Sequence, residues 1–257
     1  MGKVVWADLV TPNLEAAEKF YGGLFGWTFQ PIRAGDADYV VAQLAGRPVA
    51  GLVEKPAGAS PRHQPAWLTF IAVRDVDAAK RNAVAHRAKL LTDSAMYANR
   101  GRQAVLADPE GAVFALLASS SGDPPDELAD PGEWIWSSLH VKDPGAEAGF
   151  YQNVFGYDVF GMADGNQHLL LSSDDYARAS ANRLPDSVGK RHAHWLNFVR
   201  VADAREAAAR ATRLGGRVLV QPHIDRQGST VAVVADPAGA PVGLLQWDPN
   251  DAPSEAK

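Results

Sequence analysis

The chain opens with a short alternation. Val5, Ala7 and Leu9 make one small apolar face, and Trp6, Asp8 and Val10 make the other. Period-two alternation predicts a strand with one face under a helix and a mixed face turned elsewhere. Thr11-Pro12-Asn13 stops it and supplies helix caps, and Leu14, Ala17, Phe20, Tyr21 and Leu24 then recur at helical spacing. Gly22, Gly23 and Gly26 mark the exit, and Gly26–Ile32, Tyr39–Leu44 and Val49–Val53 read as three short strands. This is a βαβββ unit. A second follows the Pro/Gly/Ser-rich stretch 55–65: strand Trp67–Val73, helix Val76–Ala88, then strands Lys89–Thr92, Gln103–Ala107 and Val113–Ala118.

The pattern then returns. Trp6 falls on Trp136, Phe20-Tyr21 on Phe150-Tyr151 and Trp27 on Tyr157, at an offset of 130 residues (136 − 6). Trp67 falls on Trp195 and Asp108-Pro109 on Asp236-Pro237, at an offset of 128 (195 − 67). The chain is a tandem duplication. It divides into residues 1–118, a Ser/Pro/Asp-rich linker 119–133, residues 134–247 and a polar tail 248–257. The stretch 172–183 is more polar than its counterpart Ala45-Gly46-Arg47-Pro48 and reads as a lengthened loop.

Composition narrows the function. The 257 residues are 46% hydrophobic and carry a net charge of −5, with no basic run to neutralise phosphates, so no nucleic-acid partner is expected. The absence of cysteine excludes disulfides, thiolate metal sites and a cysteine nucleophile. No apolar run reaches membrane-spanning length and no signal-peptide pattern opens the chain, so no membrane association and a cytoplasmic location are expected.

The segments Asp8 to Thr11, Ala16 to Tyr21, Leu24 to Trp27, Val73 to Ala79 and Asp108 to Leu116 resemble the vicinal oxygen chelate superfamily. That group contains glyoxalase I, extradiol dioxygenases, fosfomycin-resistance enzymes and bleomycin-resistance binding proteins. The resemblance implies an α+β fold of two tandem domains. In it four βαβββ units build two cup-shaped mixed sheets with helices outside, each cup holding a small molecule. Which units pair is left open by the sequence. Carrying the superfamily's metal positions onto this chain gives Trp6, Leu68 and Ala115 in the first half and Trp136, Leu196 and Gly243 in the second. The last strand of the first unit offers only Val49, Ala50, Gly51 and Leu52. None is a metal ligand, so no metal and no cofactor are expected.

Chemistry then falls to other side chains on the mixed faces. Asp8 and His140 are candidate general acid–base groups. Trp6 and Trp136 are candidate walls, joined by Phe70 and Phe198 at matching parity. Ser138, Tyr97, Arg102 and His194 complete the candidate ligand-binding set. The different linings suggest that one cup works, or that the two take different ligands. Two functions compete. One is metal-independent isomerase-, lyase- or dehydratase-type chemistry on an enclosed aromatic or conjugated molecule. The other is sequestration of such a molecule without turnover. The first is favoured slightly over the second, and a metal-dependent glyoxalase or dioxygenase is a more distant third. A duplicated chain can build internally the pairing that single-domain relatives build by dimerising, so both monomer and homodimer are open.

Overall fold

The computed structural model describes residues 1–34, 37–55, 64–97, 99–162, 165–184 and 192–248. The first half runs β1 (Val4–Thr11), α1 (Leu14–Phe25), β2 (Thr28–Ala34), β3 (Ala37–Leu44), β4 (Arg47–Glu54), β5 (Ala66–Ala72), α2 (Val76–Ala85), β6 (Lys89–Tyr97), β7 (Gly101–Ala107) and β8 (Val113–Ser119). The second half repeats it as β9 (Trp134–Val141), α3 (Pro144–Phe155), β10 (Asp158–Met162), β11 (Gly165–Ser173), β12 (Tyr176–Arg183), β13 (His194–Arg200), α4 (Ala204–Arg213), β14 (Arg217–Ile224), β15 (Thr230–Ala235) and β16 (Pro241–Gln246). Caps explain the helix limits. The Asn13 side chain accepts from the Ala16 amide and Asp143 from Ala146, while Gly26 (φ 77°) and Gly156 (φ 74°) close α1 and α3 in the left-handed conformation.

Each half is one eight-stranded mixed sheet, ordered β2-β3-β4-β1-β5-β8-β7-β6 and β10-β11-β12-β9-β13-β16-β15-β14. Because β1 pairs antiparallel with β5, the first βαβββ unit joins the second unit, and the third joins the fourth. That settles the pairing the sequence left open. Two expected boundaries move. Tyr97 and Arg102, expected in a loop, lie at the end of β6 and near the start of β7, and the stretch 172–183, expected as a lengthened loop, is the end of β11, a tight turn and β12. Asp174 (φ 54°) and Asp175 (φ 63°) form its two-residue turn, the left-handed pair that a tight hairpin requires.

The helix-side faces of the two sheets are turned toward each other. Ala7 and Leu9 of β1 share one core with α1, α4 and Val234, Val242 and Leu244 of the second sheet. A second core joins α2, α3, Leu106 and Phe114 with Leu139, Leu171 and Ala181. Between them β5 touches β13, where buried Thr69 and Asn197 hydrogen-bond at 3.0 and 3.2 Å and Ser137 Oγ donates to Asn197 at 2.8 Å. Tyrosines tie the halves crosswise: Tyr21 donates to Asp236 at 3.2 Å and Tyr151 to Asp108 at 3.1 Å. The opposite face of each sheet is left for the cups. Among the described residues, no helix is long and apolar enough to cross a membrane.

Candidate functional site

In the first cup, Trp6, Phe70, Ala115 and Val105 line up as register partners across β1, β5, β8 and β7. A bulge between Val4 and Trp6 also brings Val5 against this cluster, although alternation from Ala7 and Leu9 put it under the helices. Asp8, 5% exposed, is not a free carboxylate. Its Oδ1 accepts from Trp6 Nε1 at 2.7 Å and from the Tyr39 hydroxyl at 2.8 Å, and Arg100 Nη1 reaches its Oδ2 at 2.9 Å. Arg100 Nη1 also donates to the Tyr39 hydroxyl. The guanidinium lies 5.5 Å from the Trp6 ring centre, 5.0 Å from Tyr39 and 5.1 Å from Phe70. Burial, then the neighbouring Asp8 charge, pushes the Tyr39 hydroxyl well above the ordinary tyrosine range, so it stays a donor. Asp8 therefore anchors an arginine. A carboxylate with its acceptor positions taken and a cation against it is poorly placed to take a substrate proton.

The sequence pointed to Arg102, two residues from the arginine that enters the cup. Arg102 sits on the helix side of β7, where its Nε donates to Asp77 of α2 at 2.7 Å and its Nη2 to Ser94 at 3.0 Å. Tyr97 pairs with Gly101 at the open end of the sheet and is 44% exposed. Arg100 and Tyr39 are the residues the sequence did not single out.

The second cup is lined differently. His168, Asn182, His140 and His194 are successive register partners across β11, β12, β9 and β13, a polar row four strands wide. One step deeper, Ser180, Ser138 and Leu196 form the next row, and Trp136 with Phe198 the one below. The polar groups are linked. His168 Nδ1 meets Asn182 Oδ1 at 2.8 Å, and Asn182 Nδ2 donates to Ser138 Oγ at 2.6 Å and Ser180 Oγ at 3.0 Å. The two serine hydroxyls lie 2.8 Å apart, and Trp136 Nε1 donates to Ser180 at 3.2 Å. The rings of His140 and His194 stack with centres 5.2 Å apart. His140 is half-buried as a residue, yet its Nε2 is sealed from solvent and has no hydrogen-bond partner among the described residues. Desolvation, then the nearby His194 and His168, lowers its pKa to about 4, so the ring is neutral at pH 7. Thus the structure gathers His140, His194, Ser138, Trp136 and Phe198 into one site. It adds His168, which the sequence did not single out, and Ser180 and Asn182, which the sequence concealed in a supposed loop. The alternation Ala177, Ala179, Ala181 against Arg178, Ser180, Asn182 is the signal that could have revealed them.

A glyoxalase-like domain family matches residues 4–117 and again 136–245, one copy on each sheet. The chain belongs to that family, as a tandem member of the vicinal oxygen chelate superfamily. It is 32% identical over 248 residues to the putative glyoxylase CFP32 of Mycobacterium tuberculosis, covering 95% of this chain and 94% of that protein. It is also 27% identical over 263 aligned positions to the anthracycline biosynthesis protein DauV of Streptomyces sp. (strain C5), covering 95% and 93%. Its fold is similar to that of the Mn(II)-bound glyoxalase from Novosphingobium aromaticivorans, with a TM-score of 0.66 at 15% identity over 96% of this chain and 83% of that one. The 2,3-dioxygenase LapB from Pseudomonas sp. KL28 aligns with a TM-score of 0.64 at 14% identity, covering 99% and 97%.

Within this superfamily the metal positions of each cup can be tested directly. Trp6, Leu68 and Ala115 present an indole, an isobutyl and a methyl group, and Ala115 is fully buried beneath Phe70 and its neighbours. Gly243 stands at the corresponding final-strand position of the second cup, and a Cβ there would run into the Phe198 ring. A longer ligand would need that ring to leave. Among the described residues, no three His, Asp or Glu side chains are placed to hold a metal ion. The superfamily's metal site does not fit this chain's residues.

Proposed function

We propose that this protein encloses a small, planar, oxygenated organic molecule in its second cup and acts on it without a metal, by proton transfer through His140. One observation carries the reading: a sealed His140 Nε2, without a hydrogen-bond partner among the described residues, within a hydrogen-bonded row above Trp136 and Phe198. The rings offer flat stacking surface, and Ser138, Ser180 and Asn182 offer donors and acceptors for hydroxyl or carbonyl groups. The neutral imidazole is free to take a proton from an acidic C–H or O–H and return it to a neighbouring atom, the pattern of an isomerase or lyase. The relative named for anthracycline biosynthesis suits a planar oxygenated aromatic as ligand.

A second reading, sequestration without turnover, draws support from the pKa of His140. A value of about 4 suits a hydrogen-bond acceptor better than a base that must hold a proton near neutrality. A hydroxylated anthraquinone titrated against the purified protein, with metal content measured in parallel, tests both. Expected are saturable quenching of tryptophan fluorescence and substoichiometric divalent metal. Near-stoichiometric retained metal would sink the metal-independent reading. Solvent deuterium appearing in the recovered ligand, and lost in His140→Asn, separates catalysis from sequestration.

A further inference from the structure

The second cup leaves the Asp8 cluster of the first unexplained. Three rings, Trp6, Tyr39 and Phe70, surround one guanidinium at 5.0 to 5.5 Å, with a buried carboxylate at 2.9 Å. Aromatic faces and one carboxylate are the components of an organic-cation receptor. The box is built deliberately. Gly51 is β4's partner to Asp8, and a Cβ there would collide with both the Asp8 carboxylate and the Tyr39 hydroxyl. Trp6 holds the carboxylate from below at 2.7 Å. The second half has no such box, since register puts Ser138 at the place of Asp8 and Ser180 at the place of Gly51.

The occupant comes from the rim. Arg100 lies at the turn between β6 and β7, flanked by left-handed Asn99 (φ 62°) and Gly101 (φ 107°), and its amide donates to Tyr97 O at 3.1 Å. Its fit is incomplete: Nη1 makes the contacts to Asp8 and Tyr39, while buried Nη2 has no acceptor among the described residues. A tether that must reach in from the turn cannot orient the whole fork, whereas an untethered cation can.

We propose that the first cup is a binding box for a small organic cation of the guanidinium or alkylammonium class, and that Arg100 is its resident occupant, displaced when such a cation binds. The site is separate from the second cup and does not depend on what that cup does.

Titration with methylguanidinium chloride at constant ionic strength, followed by tryptophan fluorescence and thermal melting, tests this. Arg100→Gly vacates the box and is expected to bind methylguanidinium saturably and gain melting temperature. The wild type is expected to bind it about tenfold more weakly, because Arg100 competes. Adding Asp8→Asn to Arg100→Gly should abolish the response. A folded Arg100→Gly protein that shows no saturation, or responds equally to sodium chloride, overturns the proposal. Should Arg100→Gly fail to fold, Arg100→Lys and Arg100→Met decide. A cation box keeps more thermal stability with lysine than with methionine, and the reverse order or equality overturns it.

Discussion

His140 shows how one position sets both chemistry and pH response. Its folded pKa of about 4 lies below the ordinary histidine value, so between about pH 4 and 6.5 the unfolded chain binds the extra proton. Its contribution to stability is therefore intact above pH 6.5 and falls on acidification, by up to about 1.4 kcal/mol per pH unit across that window. His140→Asn should flatten this acid loss in thermal melts at pH 7 and pH 5. The same substitution should weaken or abolish ligand action at pH 7, where the ring is already neutral. A variant melting with the wild-type pH dependence would show that the ring's burial is not what governs it. Asp8 teaches the converse. Its place on a mixed strand face made it a plausible base, but strand parity says nothing about which cation will reach it from another hairpin.

At the scale of elements, the hairpin β11–β12 matters most, because it delivers His168, Ser180 and Asn182 to one row. Its register depends on the turn at Asp174 and Asp175, both left-handed. Asp175→Gly should keep or slightly raise stability, whereas Asp175→Val places a β-branched residue at φ 63° and should cost about 1–2 kcal/mol. Ligand affinity should fall with Asp175→Val and hold with Asp175→Gly, measured by the same fluorescence titration. These elements also mark where sequence was legible. The repeated Trp, Phe-Tyr and Asp-Pro landmarks are large buried or turn-forming groups with few alternatives, so the sheets and helices were readable from them. The β6–β7 junction was not. The sequence placed Arg102 in a loop before the penultimate strand, and bulges between Leu90, Thr92 and Ala95 hide the true extent of β6 and hence the tight turn that carries Arg100. Polar β12 was hidden for a different reason: its hydrophobic half is alanine, which signals a strand only weakly.

For the whole molecule, the seam between halves carries an asymmetric charge. Glu147 of α3, 2% exposed, stands where α1 has Ala17, and it lies against Asp108 of the first half. Desolvation, then Asp108 and Glu110, raises Glu147 to about 8, with Arg87 opposing, and burial raises Asp108 to about 6. The native pair thus holds a proton that the unfolded chain releases above about pH 4.5. Stability from this source falls as pH rises from about 4.5 to 8, opposite in sign to His140. Above pH 6.5 the His140 contribution is already complete, so the seam pair should make the wild type lose stability between pH 6.5 and 8. Glu147→Ala, matching the first half, should remove most of that loss in denaturant titrations at the two pH values. An unchanged slope would place its origin elsewhere.

The crossed packing of helices has a consequence for how the chain is made. The apolar layer on Ala7, Leu9, Phe20 and Leu24 is completed by Ala207, Ala211, Val234 and Leu244. During synthesis the first sheet can form its ladders, but half of its core stays open until the last strand has left the ribosome. The first half therefore waits on the second, and a stop shortly before β16 would leave nearly the whole chain translated with the core between α1 and α4 still open.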